Sequence, residues 1–129
     1  MKVEIKSHII IDNLFILPEL YTPNNINEFN IKFSFSIGPK NENREEIFTV
    51  KISNRCFQEN IVYSDNEIFF KKGCIEINRY DYKRIMNAVE KYINNINLHH
   101  WNEIVNELRK VFLWEFENYK PYVSNDLHT

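Results

Sequence analysis

The sequence predicts an α+β domain in which an N-terminal antiparallel sheet of about four strands packs against two C-terminal helices. The first half of the chain alternates apolar and polar residues, which is typical of half-buried strands. The second half changes to apolar residues at three- and four-residue spacing, which is typical of amphipathic helices. The chain has 129 residues, the length of one ordinary domain, so we expect residues 1–129 to form a single domain.

Three segments of the first half have the period of a strand. In residues 2–11 we expect one parity to face the core, namely Val3, Ile5, Ile9 and Ile11. Residues 29–37 alternate without a break, and their inner face consists of Phe29, Ile31, Phe33, Phe35 and Ile37. The alternation resumes in residues 46–53 after a turn, where Gly38 permits a positive φ. The last two segments therefore predict a β-hairpin with a polar, acidic tip.

The stretch of residues 54–72 is less regular, and its pairing stays open. Residues 56–60 are compatible with one helical turn, and residues 68–70 are apolar but short. Residues 73–79 predict a further strand that places Cys74 and Glu76 on one face and Ile75 and Ile77 on the other.

Two helices are predicted in the second half. Asp81 is a good N-cap because its carboxylate can accept hydrogen bonds from first-turn amides. The first helix then covers residues 82–95, with an apolar stripe of Ile85, Met86, Val89, Tyr92, Ile93 and Ile96. A second helix begins near His99, and Pro121 sets its outer limit because proline disfavours helical ψ in the preceding residue. Its apolar stripe consists of Trp101, Ile104, Val105, Leu108, Val111 and Phe112.

Composition and charge exclude several classes of protein. Gly38 and Gly73 are the two glycines of the chain, so a G-x-G-x-x-G turn, a Walker A loop and a G-x-S-x-G elbow cannot occur. The formal net charge of −2 argues against a dedicated nucleic-acid binder. The N-terminus lacks an apolar signal region, and the most apolar stretch, residues 8–21, is too short and interrupted to span a bilayer. We therefore expect a soluble, intracellular protein without a nucleic-acid or membrane partner.

The cysteines and histidines form no recognisable metal motif. Cys56 and Cys74 stand alone, which fits two free thiols in a reducing cytosol, and a single bridge between them is the alternative. His99 and His100 would point about 100° apart on a helix, so we interpret them as surface or helix-start residues rather than ligands of one metal. No other motif indicates a metal or a cofactor, and we expect neither.

Glu115 and Glu117 come closest to a catalytic carboxylate pair. Acid–base catalysis needs two carboxylates that converge on a cleft in different environments. On a helix these two positions diverge, and on a strand they share a solvated face, so we predict that they are not catalytic. Nothing marks a serine or cysteine as a nucleophile, although sequence order alone does not exclude a Ser-His-Asp or Cys-His arrangement.

Acidic residues gather in two places. Glu42, Glu45 and Glu46 lie at the predicted hairpin tip, and Asp65 and Glu67 lie in the irregular stretch. Both groups are either solvated turns or an electrostatic docking surface for a basic partner. We expect neither group to have a partner in the core.

An ordered set of motifs spans the chain. The C-terminal half contains Asn78-Arg79-Tyr80-Asp81-Tyr82, Trp101-x-x-Ile104, Leu108-Arg109 and Trp114-Glu115-Phe116-Glu117-Asn118-Tyr119. The N-terminal half contributes Tyr21-x-Pro23, Phe29, Ile37-Gly38-Pro39 before the turn, and Phe48. In this order the motifs resemble the immunity protein 8 family of bacterial polymorphic toxin and contact-dependent growth inhibition systems. Residues 54–57 depart from the family pattern, in which a Thr-Pro-x-Trp-Leu-like element is expected.

The resemblance implies a non-enzymatic protein that binds the C-terminal toxin domain delivered by a neighbouring cell and blocks it in the cytoplasm. It implies structural roles for the residues of the family pattern: Arg79, Asp81, Trp101, Trp114, Glu115, Phe116, Glu117 and Tyr119. Specific contacts would then lie in variable surface segments, so the two acidic groups are the partner-binding candidates, and a basic nuclease toxin would suit them. The free protein is expected to be a monomer or small homo-oligomer. An adaptor unrelated to toxins and a small enzyme without a recognisable motif are the alternatives.

Overall fold

The structure, a computed structural model, describes residues 1–56 and 67–117. Its strands are β1 (Val3–Ile10), β2 (Asn30–Pro39), β3 (Glu46–Ser53), β4 (Ile68–Lys71), β5 (Cys74–Ile77) and β6 (Leu113–Trp114). Its helices are α1 (Tyr82–Asn94) and α2 (Trp101–Leu108), and Pro18–Leu20 form a turn of 3-10 helix. The α+β class is confirmed, and the described residues contain a sheet of six strands rather than about four.

The sheet is centred on β3. Its strands follow the order β1-β2-β3-β5-β4, and β6 also pairs with β3. One edge of β3 pairs with β2, while β6 and β5 share the other edge, where Phe48 lies opposite Trp114 and Ile52 opposite Ile75. The β3–β5 pairing is parallel, so the predicted purely antiparallel sheet is wrong at this point. The connection between these strands runs through the irregular stretch, where the sequence gives no pairing pattern.

The β2–β3 hairpin has the predicted alternation. Phe33, Phe35 and Phe48 are fully buried on its inner face. The predicted positive φ occurs at Asn41 (φ 71°) and not at Gly38. Gly38 is needed for a different reason, since a Cβ atom there would lie 1.9 Å from the carbonyl oxygen of Arg44.

A β-bulge in β1 reverses the predicted orientation of its second half. The pairing with β2 shifts between Ile5 and Ser7, so Lys6 is an extra residue in the ladder. Beyond the bulge Ile10 is buried, and Ile9 is exposed. The prediction that Ile9 faces the core is therefore wrong, because one inserted residue moves every later side chain to the other face.

Helix α1 begins as predicted. The carboxylate of Asp81 accepts a hydrogen bond from the backbone amide of Arg84 at 3.2 Å, which satisfies one of the free amides of the first turn. The helix ends at Asn94, one residue before the predicted limit. His100 is the N-cap residue of α2, and both His99 and His100 are exposed, in agreement with a helix-start role.

Helix α2 is shorter than predicted. It ends at Leu108, although Val111 and Phe112 beyond it are buried as the apolar stripe requires. The carbonyl of Val111 accepts a hydrogen bond from the amide of Gly73 at 2.6 Å, and the chain then continues into β6. The free edge of β3 thus takes up residues that could otherwise have continued the helix.

The core lies between the inner face of the sheet and the two helices. Phe112 is at its centre, since the ring meets Phe35 at a centroid distance of 5.8 Å, Phe48 at 6.4 Å and Tyr92 at 6.3 Å. The helices contribute further buried side chains: Ile85, Met86, Val89, Ile93, Trp101, Ile104, Val105 and Leu108.

Cys56 and Cys74 are joined by a disulfide, with their Cα atoms 5.8 Å apart. The expectation of two free thiols is therefore wrong, because the chain after β3 returns over the face of β5 that carries Cys74. The amide of Cys56 donates there to the buried carboxylate of Glu76 at 2.5 Å. Of the helical turn considered for residues 56–60, only Cys56 belongs to the described residues.

Candidate binding surfaces

The hairpin tip carries two exposed acidic side chains, Glu42 and Glu45. The hydroxyl of Ser36 donates to Oε1 of Glu45 at 2.6 Å. Nζ of Lys6 donates to the backbone carbonyl of Glu42 at 2.8 Å and so holds the tip against β1. Both carboxylates therefore lie on an ordered, accessible surface.

Glu46 has a different environment from the rest of the predicted acidic group. It is the first residue of β3 and is half-buried. Its Oε1 accepts a hydrogen bond from Nε1 of Trp114 at 2.8 Å, and its Oε2 accepts one from Nε1 of Trp101. The carboxylate joins the start of α2 to β6, so the expectation that Glu46 has no partner in the core is wrong.

The second acidic group is described only in part. Glu67 is exposed immediately before β4, whereas Asp65 lies outside the described residues. The hypothesis that this group forms a docking surface therefore stays a prediction.

Glu117 is the centre of a small ionic network. Its carboxylate accepts hydrogen bonds from Nη2 of Arg109 at 2.9 Å, from Nζ of Lys72 at 3.1 Å and from the backbone amide of Trp114 at 3.2 Å. These interactions, that with Arg109 above all, lower the pKa of Glu117 to about 2. The network ties the chain after β6 to the β4–β5 turn and to the end of α2.

Glu115 has a partner of its own. Its backbone amide donates to the carbonyl of Ile47 at 2.9 Å, and its carboxylate accepts from the amide of Ile47. Glu115 and Glu117 therefore bind different elements of the fold, and their carboxylates have separate partners.

Tyr80 closes one end of the core beside the β5–α1 connection. Its ring packs edge-on against Phe29 at 5.5 Å and Tyr21 at 6.3 Å. Its hydroxyl is buried without a hydrogen-bond partner in the part of the chain that is described, and burial raises the pKa of Tyr80 to about 12. Because the hydroxyl is out of reach of solvent, a ligand could not bind it without a rearrangement.

His8 is held between two aromatic rings. It stacks on Phe35 at 5.8 Å and on Tyr82 at 6.0 Å, and its Nε2 lies 2.7 Å from the hydroxyl of Tyr82. Burial lowers the pKa of His8, and the nearby carboxylates of Glu19 and Glu90 oppose this only in part. The imidazole is therefore neutral at pH 7 and acts as a packing residue.

No group of three or more His, Cys, Asp and Glu side chains within residues 1–56 and 67–117 is arranged to hold a metal ion. Over the same ranges, neither helix has the length and apolar character needed to cross a bilayer.

A family model described as immunity protein 8 matches residues 3–119, nearly the whole chain. The chain belongs to the immunity protein 8 family. Neither a curated protein nor a solved structure matches it.

The residues that carry the immunity protein 8 pattern have mostly architectural positions. Asp81 caps α1, and Trp101 is buried, while Trp114 is half-buried and packs on the core. Phe116 meets the ring of Trp114 edge-on at 5.2 Å and is half-exposed. Arg79 is exposed, and Tyr119 lies outside the described residues.

Within residues 1–56 and 67–117, the most exposed apolar surface of this immunity protein 8 family member was not identified from the sequence. Five large apolar side chains project from the loop after β1, namely Leu14, Phe15, Ile16, Leu17 and Leu20. The sequence pattern of this stretch indicates only that it is too short and too interrupted to span a bilayer. The local density of apolar residues could have revealed this surface, because five large apolar residues occur within seven positions without the period of a strand or a helix.

Proposed function

We propose that this protein is an immunity protein that binds the C-terminal domain of a cognate bacterial toxin in the cytoplasm and neutralises it by stoichiometric binding. The match of the immunity protein 8 model to residues 3–119 carries the proposal. On this proposal residues 1–129 act as a single domain, without catalysis or a cofactor, and the partner is a protein rather than nucleic acid or a membrane. The free protein is a monomer or small homo-oligomer.

The proposal sets a scale for the affinity. A complex that protects a cell against a lethal activity must persist for longer than the toxin needs to act. We therefore expect nanomolar or tighter binding, which corresponds to about −12 kcal/mol or below.

The acidic surface supports a basic partner. Glu42 and Glu45 are exposed at the hairpin tip, and Glu67 is exposed before β4. A nuclease toxin, which needs positive charge to bind its substrate, would be attracted to such a surface. Asp65 belongs to the same proposal by its position in the sequence. Glu46 does not, because Trp101 and Trp114 occupy its carboxylate.

Co-expression tests the proposal directly. Cells that produce the toxin domain encoded beside this gene should grow when they also produce this protein, and cells that produce an unrelated toxin should not. An adaptor unrelated to toxins would give no protection in either case. Catalytic turnover by the purified protein alone, or no rescue from the adjacent toxin, would overturn the proposal.

A further inference from the structure

Among the residues that the structure describes, the most exposed large apolar side chains are concentrated in one loop. We define the apolar loop as residues 12–20, between β1 and the end of the 3-10 turn. Phe15 is fully exposed, and Leu20, Leu14 and Leu17 are 72%, 61% and 60% exposed. The exposed large apolar residues of other described segments reach only 36–45%. A cluster of this kind is typical of an interaction site, because monomeric proteins seldom leave large apolar patches in water.

Hydrogen bonds and packing order the apolar loop. The amide of Asn13 donates to the carbonyl of Ile10 at 3.0 Å, and that of Ile16 donates to Asn13 at 3.2 Å. Pro18 is buried, and the 3-10 turn that it begins packs against β1 and α1. The apolar side chains thus project from a fixed base. Binding through such a surface loses less conformational entropy than binding through a disordered segment.

The charged side chains of the apolar loop itself are acidic, and Lys32 of β2, whose carbonyl accepts a hydrogen bond from the amide of Ile11 at 3.0 Å, is exposed beside the base of the loop. Residues 7–31 contain Asp12, Glu19 and Glu28 but no lysine or arginine. Asp12 and Glu19 are exposed within the loop itself. Glu90 of α1 is also exposed, and it acts electrostatically on His8 together with Glu19, so it borders the same surface. The loop is therefore an apolar projection with an acidic rim.

We propose that the apolar loop is the main contact with the cognate toxin domain, where it enters an apolar recess bordered by lysine and arginine. The inference rests on the proposed function and assigns its contact surface. Exposed aromatic and aliphatic side chains on a rigid base supply the buried centre of an interface, and the acidic rim supplies charge complementarity around it.

The acidic rim also disfavours the other occupants of this surface. In a symmetric dimer the same patch of two copies would meet, so Asp12 and Glu19 of one copy would lie near those of the other. Like charges in contact weaken such an interface. An anionic membrane surface would repel the same carboxylates. A basic toxin surface is the occupant that the charges favour.

The test compares two pairs of serine substitutions for binding to the inactivated toxin domain encoded beside this gene. Phe15→Ser with Leu14→Ser removes the centre of the apolar loop. Ile47→Ser with Leu113→Ser is the matched control, because these side chains are half-exposed at neighbouring strands of the sheet. The loop variant should raise the dissociation constant by roughly 30-fold or more, mainly through faster dissociation. The control should change it by less than about 3-fold, as residues away from an interface do.

The outcomes separate this inference from the proposed function. If the wild type binds the toxin domain and the loop variant binds equally well, the inference is overturned and the proposed function stands. If the wild type does not bind the toxin domain, both are overturned. Two further outcomes would overturn the inference if the loop variant keeps the toxin affinity of the wild type. In the first, the wild type is a dimer and the loop variant is a monomer. In the second, the wild type binds vesicles containing phosphatidylserine and the loop variant does not. A urea midpoint equal to that of the wild type would show that the loop variant is folded. The single substitution Phe15→Leu keeps a large apolar side chain and should bind the toxin domain with most of the wild-type affinity.

Discussion

Nε1 of Trp114 donates a hydrogen bond to the carboxylate of Glu46 at 2.8 Å, across 68 positions of the sequence. Trp101 donates to the second oxygen of the same carboxylate from the start of α2. Two tryptophans of the immunity protein 8 pattern therefore meet on one acidic residue at the first position of β3. The carboxylate of Glu46 thus joins the start of α2 and the strand β6 to the first residue of β3.

Glu46→Gln should destabilise the fold by about 1–3 kcal/mol. The amide side chain keeps one acceptor oxygen, but its NH2 group would face the second indole N–H, so one buried donor is left without a partner. Urea denaturation measures the change. Glu42→Gln is the matched control and should change the free energy of unfolding by less than about 0.5 kcal/mol, because Glu42 is exposed at the hairpin tip. Equal stabilities of the two variants would contradict the structural role of Glu46.

Phe33→Ala should destabilise by roughly 3–5 kcal/mol, because it removes a fully buried ring from the middle of β2 and leaves a cavity. Its neighbour Ser34 faces the other side of the sheet, and Ser34→Ala should cost under about 0.5 kcal/mol. Urea midpoints of the two variants check the orientation of β2. If both variants lost a similar amount of unfolding free energy, the alternation of apolar and polar residues would not determine which face of β2 is buried.

The Glu117 network should make stability depend on pH in the acidic range. The pKa of Glu117 falls from its ordinary value of 4.5 to about 2 in the folded state, mainly through Arg109. A depressed carboxylate pKa stabilises the fold above the ordinary value, and this contribution is lost as the pH falls from about 4.5 towards about 2. In the Arg109→Gln variant, the free energy of unfolding should fall less than in the wild type over this pH range. Parallel curves of unfolding free energy against pH for wild type and variant would refute the assignment.

Charge at the hairpin tip should act on the rate of association. Reversing Glu42 and Glu45 together should slow toxin association at low salt and flatten its dependence on ionic strength, because steering by surface charge is screened by salt. Reversing Asp65 with Glu67 tests the second acidic group in the same way. Glu46 is left unchanged in these variants, since its reversal would disturb the tryptophan contacts. Association rates at two ionic strengths measure the effect. If neither variant differs from the wild type, the charged contact lies elsewhere, and Lys32 and Ser34 on the outer face of the sheet are the next candidates. Ser36, predicted on the same face, is buried and bonded to Glu45, so it is not one of them.

Local patterns predicted the parts of the fold that local physics decides. The alternation of residues 29–37 predicted β2 because one face of that strand is buried along its whole length. Asp81 predicted the start of α1 because an N-cap bonds only to its own first turn. The end of α2 was missed because residues with a helical stripe pair instead with the open edge of β3. The bulge at Lys6 was missed because residues 9–11 are all isoleucine, so the change of the buried parity after the bulge leaves no mark in the apolar pattern.

The candidate site was predicted less completely than the fold. Acidic clusters are visible in a sequence, and Glu42 and Glu45 are exposed as expected. The bonds of Glu46 were missed because they join β3 to residues 55 and 68 positions away. The exposure of Phe15 was missed because an apolar segment in a sequence suggests burial, and only the packing of the loop decides whether burial occurs.

Titration calorimetry with the inactivated toxin domain encoded beside this gene is the most direct test of the central claim. We predict one-to-one binding with a dissociation constant in the nanomolar range or tighter, and no detectable heat with the domain of an unrelated toxin. Absence of binding, or equal affinity for the cognate and the unrelated domain, would contradict the proposal that this protein neutralises a specific toxin by binding it.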